Sequence, residues 1–194
     1  KIEQLAGETP IQNKAFVDFL QKAGNYKYEN FAVIFPPYQT WQTQNPPVPK
    51  ADLLGDANVK YIASTYEISE PNLKFIKKFE SLFLYQNNEF KKRAYFLNSQ
   101  DNVKITRYEP NSIKFEFEKS SQERSLVIAE NYHSGFFSKS DGQITPVQKY
   151  NDVFQVATVP ANANYVDVFY RPQSYITGKT LTIGTLFFVM MNFW

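Results

Sequence analysis

The pattern of apolar and polar positions predicts helices and short strands in the first half of the chain. An amphipathic helix is predicted between the first-turn pair Thr9-Pro10 and Gly24, with an apolar stripe at Phe16, Val17, Phe19 and Leu20. Short apolar runs then predict a buried strand at 32–35, a brief helix at 52–57 and strands at 59–63, 73–79, 82–85 and 94–97.

From about Asn102 the pattern changes to short strands at regular spacing, which is typical of a sandwich of antiparallel sheets. Ile113, Phe115 and Phe117 alternate with charged residues, so one face of this strand is buried and the other is solvated. In a second strand, Tyr165, Asp167 and Phe169 alternate with Val166, Val168 and Tyr170. Asp141-Gly142 is a tight-turn signal. We therefore predict an α+β fold, with a mixed α/β part over residues 1–100 and an antiparallel β-sandwich, jelly-roll or Ig-like, over 101–179.

The tail at 180–194 carries no charge and follows Lys179. It is either the start of a transmembrane helix or a last strand, and a bilayer-spanning helix needs about 20 apolar residues. The run Leu186–Met191 is apolar on every face without period-2 alternation, which favours the helix. The first residues lack a signal-peptide pattern and an initial Met. We therefore expect a fragment of a larger membrane protein.

Composition excludes several classes of function. Lys+Arg 21 against Asp+Glu 19 leaves no basic surplus for nucleic acid, so no nucleic-acid partner is predicted. Cys 0 excludes disulfides, thiolate metal clusters and cysteine nucleophiles. With 43% hydrophobic residues, the chain has enough apolar surface for a packed core.

Aromatic residues in polar or turn segments are candidates for contact with sugar rings. Tyr38 and Trp41 lie in a segment rich in Gln, Thr and Pro, where a flat aromatic face could stack on the apolar face of a pyranose ring. Tyr132, Phe136 and Phe137 lie beside the Asp141-Gly142 turn, where exposed aromatic rings could contact acceptor polymer, lipid headgroups or the membrane domain of the parent protein. The alternative for all of these residues is packing, with Trp41 anchoring a long loop to the core.

Polar candidates offer less chemistry. Glu130 and His133 are weak candidates for substrate binding, and as a Glu-x-x-His pair they could supply two metal ligands or an acid/base couple. On a strand, however, an offset of three points the two side chains to opposite faces, which favours a structural or surface role. Helix capping explains Asp52 and Asp56. The pairs Lys77-Lys78 and Lys91-Lys92 are interpreted as solvated charge on strand ends, with contact to phosphorylated lipid as the alternative. No catalytic residue, cofactor site or metal site is predicted from the sequence.

Short segments in a fixed order over residues 52–194 carry a family resemblance. They are Asn58-Val-Lys-Tyr61, Leu84-Tyr-Gln-Asn87, Arg93-Ala94, Tyr108-Glu-Pro-Asn111, Leu126-Val-Ile-Ala-Glu-Asn-Tyr132, Gly135-Phe136, Asp141-Gly142, Val159-Pro-Ala161, Tyr170-Arg-Pro172 and Gly178. Together they resemble the extracytoplasmic region of the YfhO-like bacterial membrane proteins. The chain departs at Phe136, where the family commonly has Trp, and at Lys92, where it usually has Pro.

The resemblance implies a polytopic membrane protein of the C-type glycosyltransferase class, which takes a sugar from a polyprenyl-phosphate donor and decorates cell-envelope glycopolymers. It also implies that the catalytic acidic residue lies in an early loop outside this chain. The expected partners are the protein's own membrane domain and a glycan or polyprenyl-linked sugar, on the extracytoplasmic face. The alternatives are a stand-alone carbohydrate-binding or adhesion module and a structural subunit of an envelope assembly.

Overall fold

The computed structural model describes residues 5, 13–26 and 46–192. Within them, three helices and twelve strands form, and the strands assemble into three mostly antiparallel sheets, which confirms the predicted α+β fold. The helices are α1 (Lys14–Gly24), α2 (Ala51–Asp56) and α3 (Gln173–Asn192). The strands are β1 (Tyr61–Ser64), β2 (Leu73–Phe79), β3 (Leu82–Asn87), β4 (Ala94–Phe96), β5 (Lys104–Glu109), β6 (Ser112–Glu116), β7 (Arg124–Ile128), β8 (Phe136–Ser140), β9 (Gln143–Pro146), β10 (Gln148–Tyr150), β11 (Phe154–Val159) and β12 (Tyr165–Tyr170).

The chain divides into two compact units. The first is Lys1–Ala94 together with Ala129–Asn131 and Asn151–Phe154. The second is Tyr95–Ile128, Tyr132–Tyr150 and Gln155–Trp194. Two short segments from the second half of the sequence therefore belong to the first unit.

Helix α1 of the first unit has well-defined ends. The Asn13 side chain accepts a hydrogen bond from the Ala15 amide at 2.9 Å, and Asn25 ends the helix in the left-handed conformation. The predicted start at Thr9-Pro10 lies outside the described residues. The buried stripe comprises Val17, Phe19, Leu20 and Ala23, so the predicted apolar face is confirmed except at Phe16, which is only partly buried.

The first unit also contains a three-stranded sheet in the order β1-β3-β2. One end of this sheet packs on a core of Ala51, Ile68, Leu73 and Tyr85. The Tyr85 hydroxyl accepts a hydrogen bond from the Ile68 amide at 2.8 Å, and Asn87 Nδ2 donates to the carbonyls of Ala51 and Val59. The buried side chains of Tyr85 and Asn87 thus connect the loop that contains Ile68, and helix α2, to the sheet.

The second unit contains the predicted sandwich. A four-stranded sheet has the order β10-β11-β7-β4, and a five-stranded sheet has the order β5-β6-β12-β8-β9. Alternation along β6 and β12 buries Phe115 and Val166 as cross-strand partners, while Leu126 and Ala157 are buried partners in the other sheet. The predicted turn at Asp141-Gly142 joins β8 to β9 with positive φ at both residues, as a two-residue hairpin loop requires.

Arg124 lies in the core of the second unit, with only 8% of its side chain exposed. Its guanidinium is 4.1 Å from the ring centre of Phe96 and 5.1 Å from that of Phe117, and these two rings contact each other edge-on. Arg124 also donates to Asp101 Oδ2 at 2.6 Å and to the Glu118 carbonyl at 2.7 Å. The guanidinium is therefore buried between a carboxylate, a backbone carbonyl and two aromatic rings.

Residues 180–192, for which the sequence left a helix start and a last strand open, belong to helix α3. Its apolar side chains from Leu181 onward are exposed, including Leu186, Phe187 and Met191. Among the described residues, no helix combines the length and the hydropathy required to cross a membrane.

Candidate functional site

The predicted site residues are dispersed. Tyr38 and Trp41 lie outside the described residues. Glu130 belongs to the first unit, where its Oε1 accepts a hydrogen bond from Arg93 Nη1 at 2.8 Å. Tyr132, His133 and Phe136 belong to the second unit.

The local structure of Glu130 and His133 differs from the prediction. We placed both residues on a strand, but β7 ends at Ile128 and both follow it in irregular backbone. The argument from opposite strand faces is therefore wrong. A turn at residues 134–135 separates this irregular segment from β8, and the Arg93 guanidinium already binds the Glu130 carboxylate.

His133 and Phe136 lie beside Tyr170, the last residue of β12, whereas Tyr132 lies beside Lys149. The rings of His133 and Phe136 lie 6.3 and 4.9 Å from that of Tyr170, and Lys149 Nζ lies 5.5 Å from the Tyr132 ring. The Arg171 amide donates to the Gly135 carbonyl at 2.7 Å. This loop therefore fixes the direction in which helix α3 leaves the sheet.

Gly135 is required by the close approach of that junction. A Cβ atom at this position would lie 2.6 Å from Tyr170 Cε2 and 3.0 Å from Pro172 Cα. The segments Gly135-Phe136 and Tyr170-Arg-Pro172, which were quoted separately for the family resemblance, thus pack against each other.

Asp56 has a role that the sequence did not indicate. We assigned it to helix capping, but it is the last residue of α2, and its side chain is 8% exposed. Its two carboxylate oxygens accept hydrogen bonds from Lys91 Nζ at 2.5 Å and Asn151 Nδ2 at 2.7 Å. A buried charge with partners on both oxygens holds three distant segments of the first unit together.

A more promising surface is the solvent-facing side of the five-stranded sheet, here called the outer face. It consists of the side chains that alternate with the buried valines of β12 and those of their cross-strand partners: Tyr165, Asp167, Phe169, Ser112, Lys114, Glu116, Phe137, Lys139 and Arg107. Three aromatic rings and several charges therefore share one face.

The aromatic rings of the outer face have a defined arrangement. Phe137 and Phe169 are cross-strand partners, and their rings are stacked with centres 6.1 Å apart and an interplanar angle of 27°. Tyr165 is the first residue of β12, and Lys114 Nζ is 5.2 Å from its ring centre. The rings are partly exposed, so they present flat apolar surface to solvent.

The polar groups between these rings are also ordered. Arg107 Nη2 donates to Asp167 Oδ1 at 2.7 Å and to Ser112 Oγ at 2.9 Å, and the Ser112 hydroxyl donates to the same Asp167 oxygen. Lys114 Nζ is 3.2 Å from Glu116 Oε1. Fixed donors and acceptors beside flat rings can bind a ligand that has both hydroxyl groups and apolar C–H faces.

The sequence indicated Phe137 as a candidate aromatic residue, but the rest of this surface was missed although a signal was present. The alternation of Tyr165, Asp167 and Phe169 with buried residues was recognised as a strand pattern. Two aromatic residues at the solvent-facing positions of that pattern are unusual, because such positions normally carry polar side chains. The pairing of Phe169 with Phe137 depends on sheet register, which one strand does not specify.

Fold and surface together define the class as an α+β protein whose β-sandwich carries an aromatic and charged outer face. A comparison with protein families matches the model described as "Bacterial membrane protein YfhO" over residues 69–182. The chain therefore belongs to the YfhO family of bacterial membrane proteins, and the predicted resemblance is confirmed. No curated protein and no solved structure matched the chain.

Proposed function

We propose that this chain is the extracytoplasmic accessory domain of a polytopic membrane glycosyltransferase. In this proposal the parent protein uses a polyprenyl-phosphate sugar donor and acts on cell-envelope glycopolymers, and the chain contacts the acceptor polymer through the outer face. Membership of a bacterial membrane protein family supports the attachment to a membrane domain. The observation that supports the glycan contact most directly is the stacked pair Phe137 and Phe169 beside the hydrogen-bonded Arg107–Asp167 pair.

The chemistry of a glycan suits this face. A pyranose ring has an apolar C–H face that stacks on an aromatic ring and equatorial hydroxyls that need donors and acceptors. Asp167 Oδ1 accepts hydrogen bonds from Arg107 and Ser112, and its Oδ2 accepts none from the residues that the structure describes. Lys139 is the cross-strand neighbour of Asp167 and is exposed, so it adds donors to the same row.

The proposed task of the chain is binding, with bond transfer in the membrane part of the parent protein. The ion pairs of Glu130 with Arg93 and of Asp56 with Lys91 support this division, since each carboxylate already binds a basic side chain of the same unit. Within the described ranges, no group of three or more His, Asp or Glu side chains could hold a metal ion.

The experiment measures binding of extracted envelope glycopolymers to the chain and to Phe137→Ser/Phe169→Ser. Loss of two stacking rings should weaken binding about 5- to 150-fold, since each aromatic contact contributes about 0.5–1.5 kcal/mol beyond its buried area. The matched control is Leu97→Ser, which removes an exposed apolar side chain elsewhere in the second unit. Equal binding by both variants would contradict the proposal.

A stand-alone carbohydrate-binding module is the second candidate, because the same outer face would serve it. Transfer of labelled sugar from a polyprenyl-phosphate donor, measured in membranes that contain the parent protein, separates the two. For the transferase domain, Phe137→Ser/Phe169→Ser should raise the KM for the acceptor and leave that for the donor unchanged. Membranes that bind the polymer but transfer no sugar would favour the module.

A further inference from the structure

The hairpin formed by β2 and β3 carries exposed apolar and basic side chains outside the site described above. We call residues 74–83 the Lys-Phe hairpin. Four large apolar side chains in it are exposed: Phe75 by 51%, Phe79 by 48%, Leu82 by 44% and Ile76 by 40%. Apolar side chains clustered at this level of exposure mark an interaction surface.

The hairpin is exposed because only the near end of its sheet packs on the core. Leu73 and Tyr85 are buried in the core of the first unit, whereas every β2 residue after Leu73 is exposed. A register shift between Phe75 and Lys77 places Ile76 as an extra residue in β2. The part from Phe75 to the turn is about 13 Å long at 3.3 Å per residue. This part can therefore insert into a surface outside the protein while the core stays folded.

Basic residues accompany these apolar groups. Lys74, Lys77 and Lys78 are exposed, and Glu80 in the turn is the one carboxylate of the hairpin. Lys77 Nζ lies 3.9 Å from the ring centre of Phe79, and Lys78 Nζ lies 4.5 Å from that of Phe83. None of the three lysines is ion-paired to a carboxylate within the described part of the chain. The ammonium groups of Lys77 and Lys78 therefore lie beside rings, and all three lysines are exposed to external anions.

We propose that the Lys-Phe hairpin docks on the surface of a bilayer that contains anionic phospholipid. Phe75, Ile76, Phe79 and Leu82 enter the region between headgroups and acyl chains, and the lysines bind lipid phosphates. Charge complementarity identifies the occupant, because three unpaired cations next to exposed apolar side chains match a surface that is anionic outside and apolar beneath. Membership of a membrane protein family places such a surface close to the chain.

The fixed geometry makes the two kinds of contact cooperate. The ammonium ends of long lysine side chains extend toward the lipid headgroups, while their apolar stems and the neighbouring rings lie closer to the acyl chains. Phe79 pairs with Leu82 next to the turn, and Lys78 pairs with Phe83 at the following position. The hairpin therefore carries apolar side chains next to its turn and a cation one pair further from it. A protein groove could receive the apolar side chains, but it would need a carboxylate opposite each lysine.

The absence of cysteine from the chain allows a local test. Ser81→Cys at the hairpin turn is labelled with the fluorophore NBD, and the full chain is mixed with phosphatidylcholine vesicles with or without 30–40% phosphatidylglycerol, on the order of natural anionic content. The control label is at Ser121→Cys, an exposed position in the second unit. A local label is needed because exposed helix α3 can hold the chain on any vesicle.

We expect the label at position 81 to shift to the blue and to be quenched by brominated lipid on phosphatidylglycerol vesicles, with little response at position 121. Lys77→Gln/Lys78→Gln should lower the ratio of inserted to free hairpin about 30-fold, since each lysine near an anionic surface contributes about fivefold. Lys104→Gln/Lys119→Gln removes the same charge from the second unit and should leave the ratio unchanged. Phe79→Ser/Leu82→Ser should abolish the blue shift.

Three results would overturn the proposal: no shift at position 81 on anionic vesicles, equal shifts on neutral and anionic vesicles, or an equal effect of the control lysine pair. Circular dichroism of each variant verifies that the sheet is retained. Failure of this docking surface would leave the glycan-contact proposal unaffected, because the outer face is formed by residues of the other unit.

Discussion

Replacing Tyr85 with Phe tests how the loop between β1 and β2 is held in place. The Tyr85 hydroxyl accepts the hydrogen bond of the Ile68 amide at 2.8 Å, and both residues are buried. Ile68 lies in irregular backbone, so no strand partner is available for this amide. Tyr85→Phe removes one oxygen atom and keeps the ring that packs against Phe75 at 5.8 Å.

The expected loss follows from leaving a buried donor without an acceptor. A buried N–H group that loses its partner costs about 1–3 kcal/mol, whereas exchange of a hydroxyl for hydrogen on a retained ring changes the packing little. We therefore expect the free energy of unfolding of the first unit to fall by about 2 kcal/mol. With a urea dependence of about 2 kcal/mol per M, the midpoint shifts by about 1 M.

The assay is urea unfolding followed by far-UV circular dichroism. The matched control is Tyr61→Phe, because Tyr61 lies in the same sheet, is 53% exposed and makes no hydroxyl hydrogen bond within the described residues. An exposed substitution of this kind changes the free energy of unfolding by less than about 0.5 kcal/mol. If Tyr85→Phe also stays within 0.5 kcal/mol of the unsubstituted chain, the hydrogen bond does not hold the loop.

Two further predictions concern a carboxylate and a close contact. The hydrogen bond from Ser99 is the largest cause that lowers the pKa of Asp101, and the hydrogen bond from Arg124 is the next. The ionised carboxylate therefore stabilises the fold fully above the usual aspartate pKa, and this stabilisation is lost as the pH falls through the lowered pKa of the folded state. Asp101→Asn should therefore make urea midpoints less pH-dependent between about pH 5 and 2 than in the unsubstituted chain, and Glu123→Gln, at an exposed carboxylate, is the control. Gly55→Ala places a Cβ 2.0 Å from the Glu89 carbonyl oxygen and should cost about 3 kcal/mol in the same assay, whereas Gly178→Ala, with open space around it, should cost nothing.

Local patterns were sufficient for most elements of the described chain. The alternation of Ile113, Phe115 and Lys114 specified β6 and its buried face, because side chains alternate strictly across a strand. The Asp141-Gly142 pair specified its turn, since both residues accept positive φ. The limits of α1 and α2 were predicted to within a few residues, apart from the helix start assigned to Thr9-Pro10.

The functional surfaces were predicted much less well. The sequence drew attention to Tyr132, His133 and Phe136, whose rings pack around Tyr170 or lie beside Lys149. It interpreted Lys77-Lys78 and Lys91-Lys92 alike, although Lys91 binds buried Asp56 and the other pair is exposed on a projecting hairpin. Two lysine pairs with the same local sequence character differ because the fold buries a partner for only one of them.

The sequence by itself therefore determined the fold class, the family and the faces of individual strands, since these depend on residue type and spacing along one segment. Only the tertiary structure decided which strands are neighbours. It thereby placed Phe137 beside Phe169, Arg107 beside Asp167 and Asp56 beside Asn151. The physical reason is that register and long-range packing depend on all strands at once, and a single strand pattern is compatible with several partners.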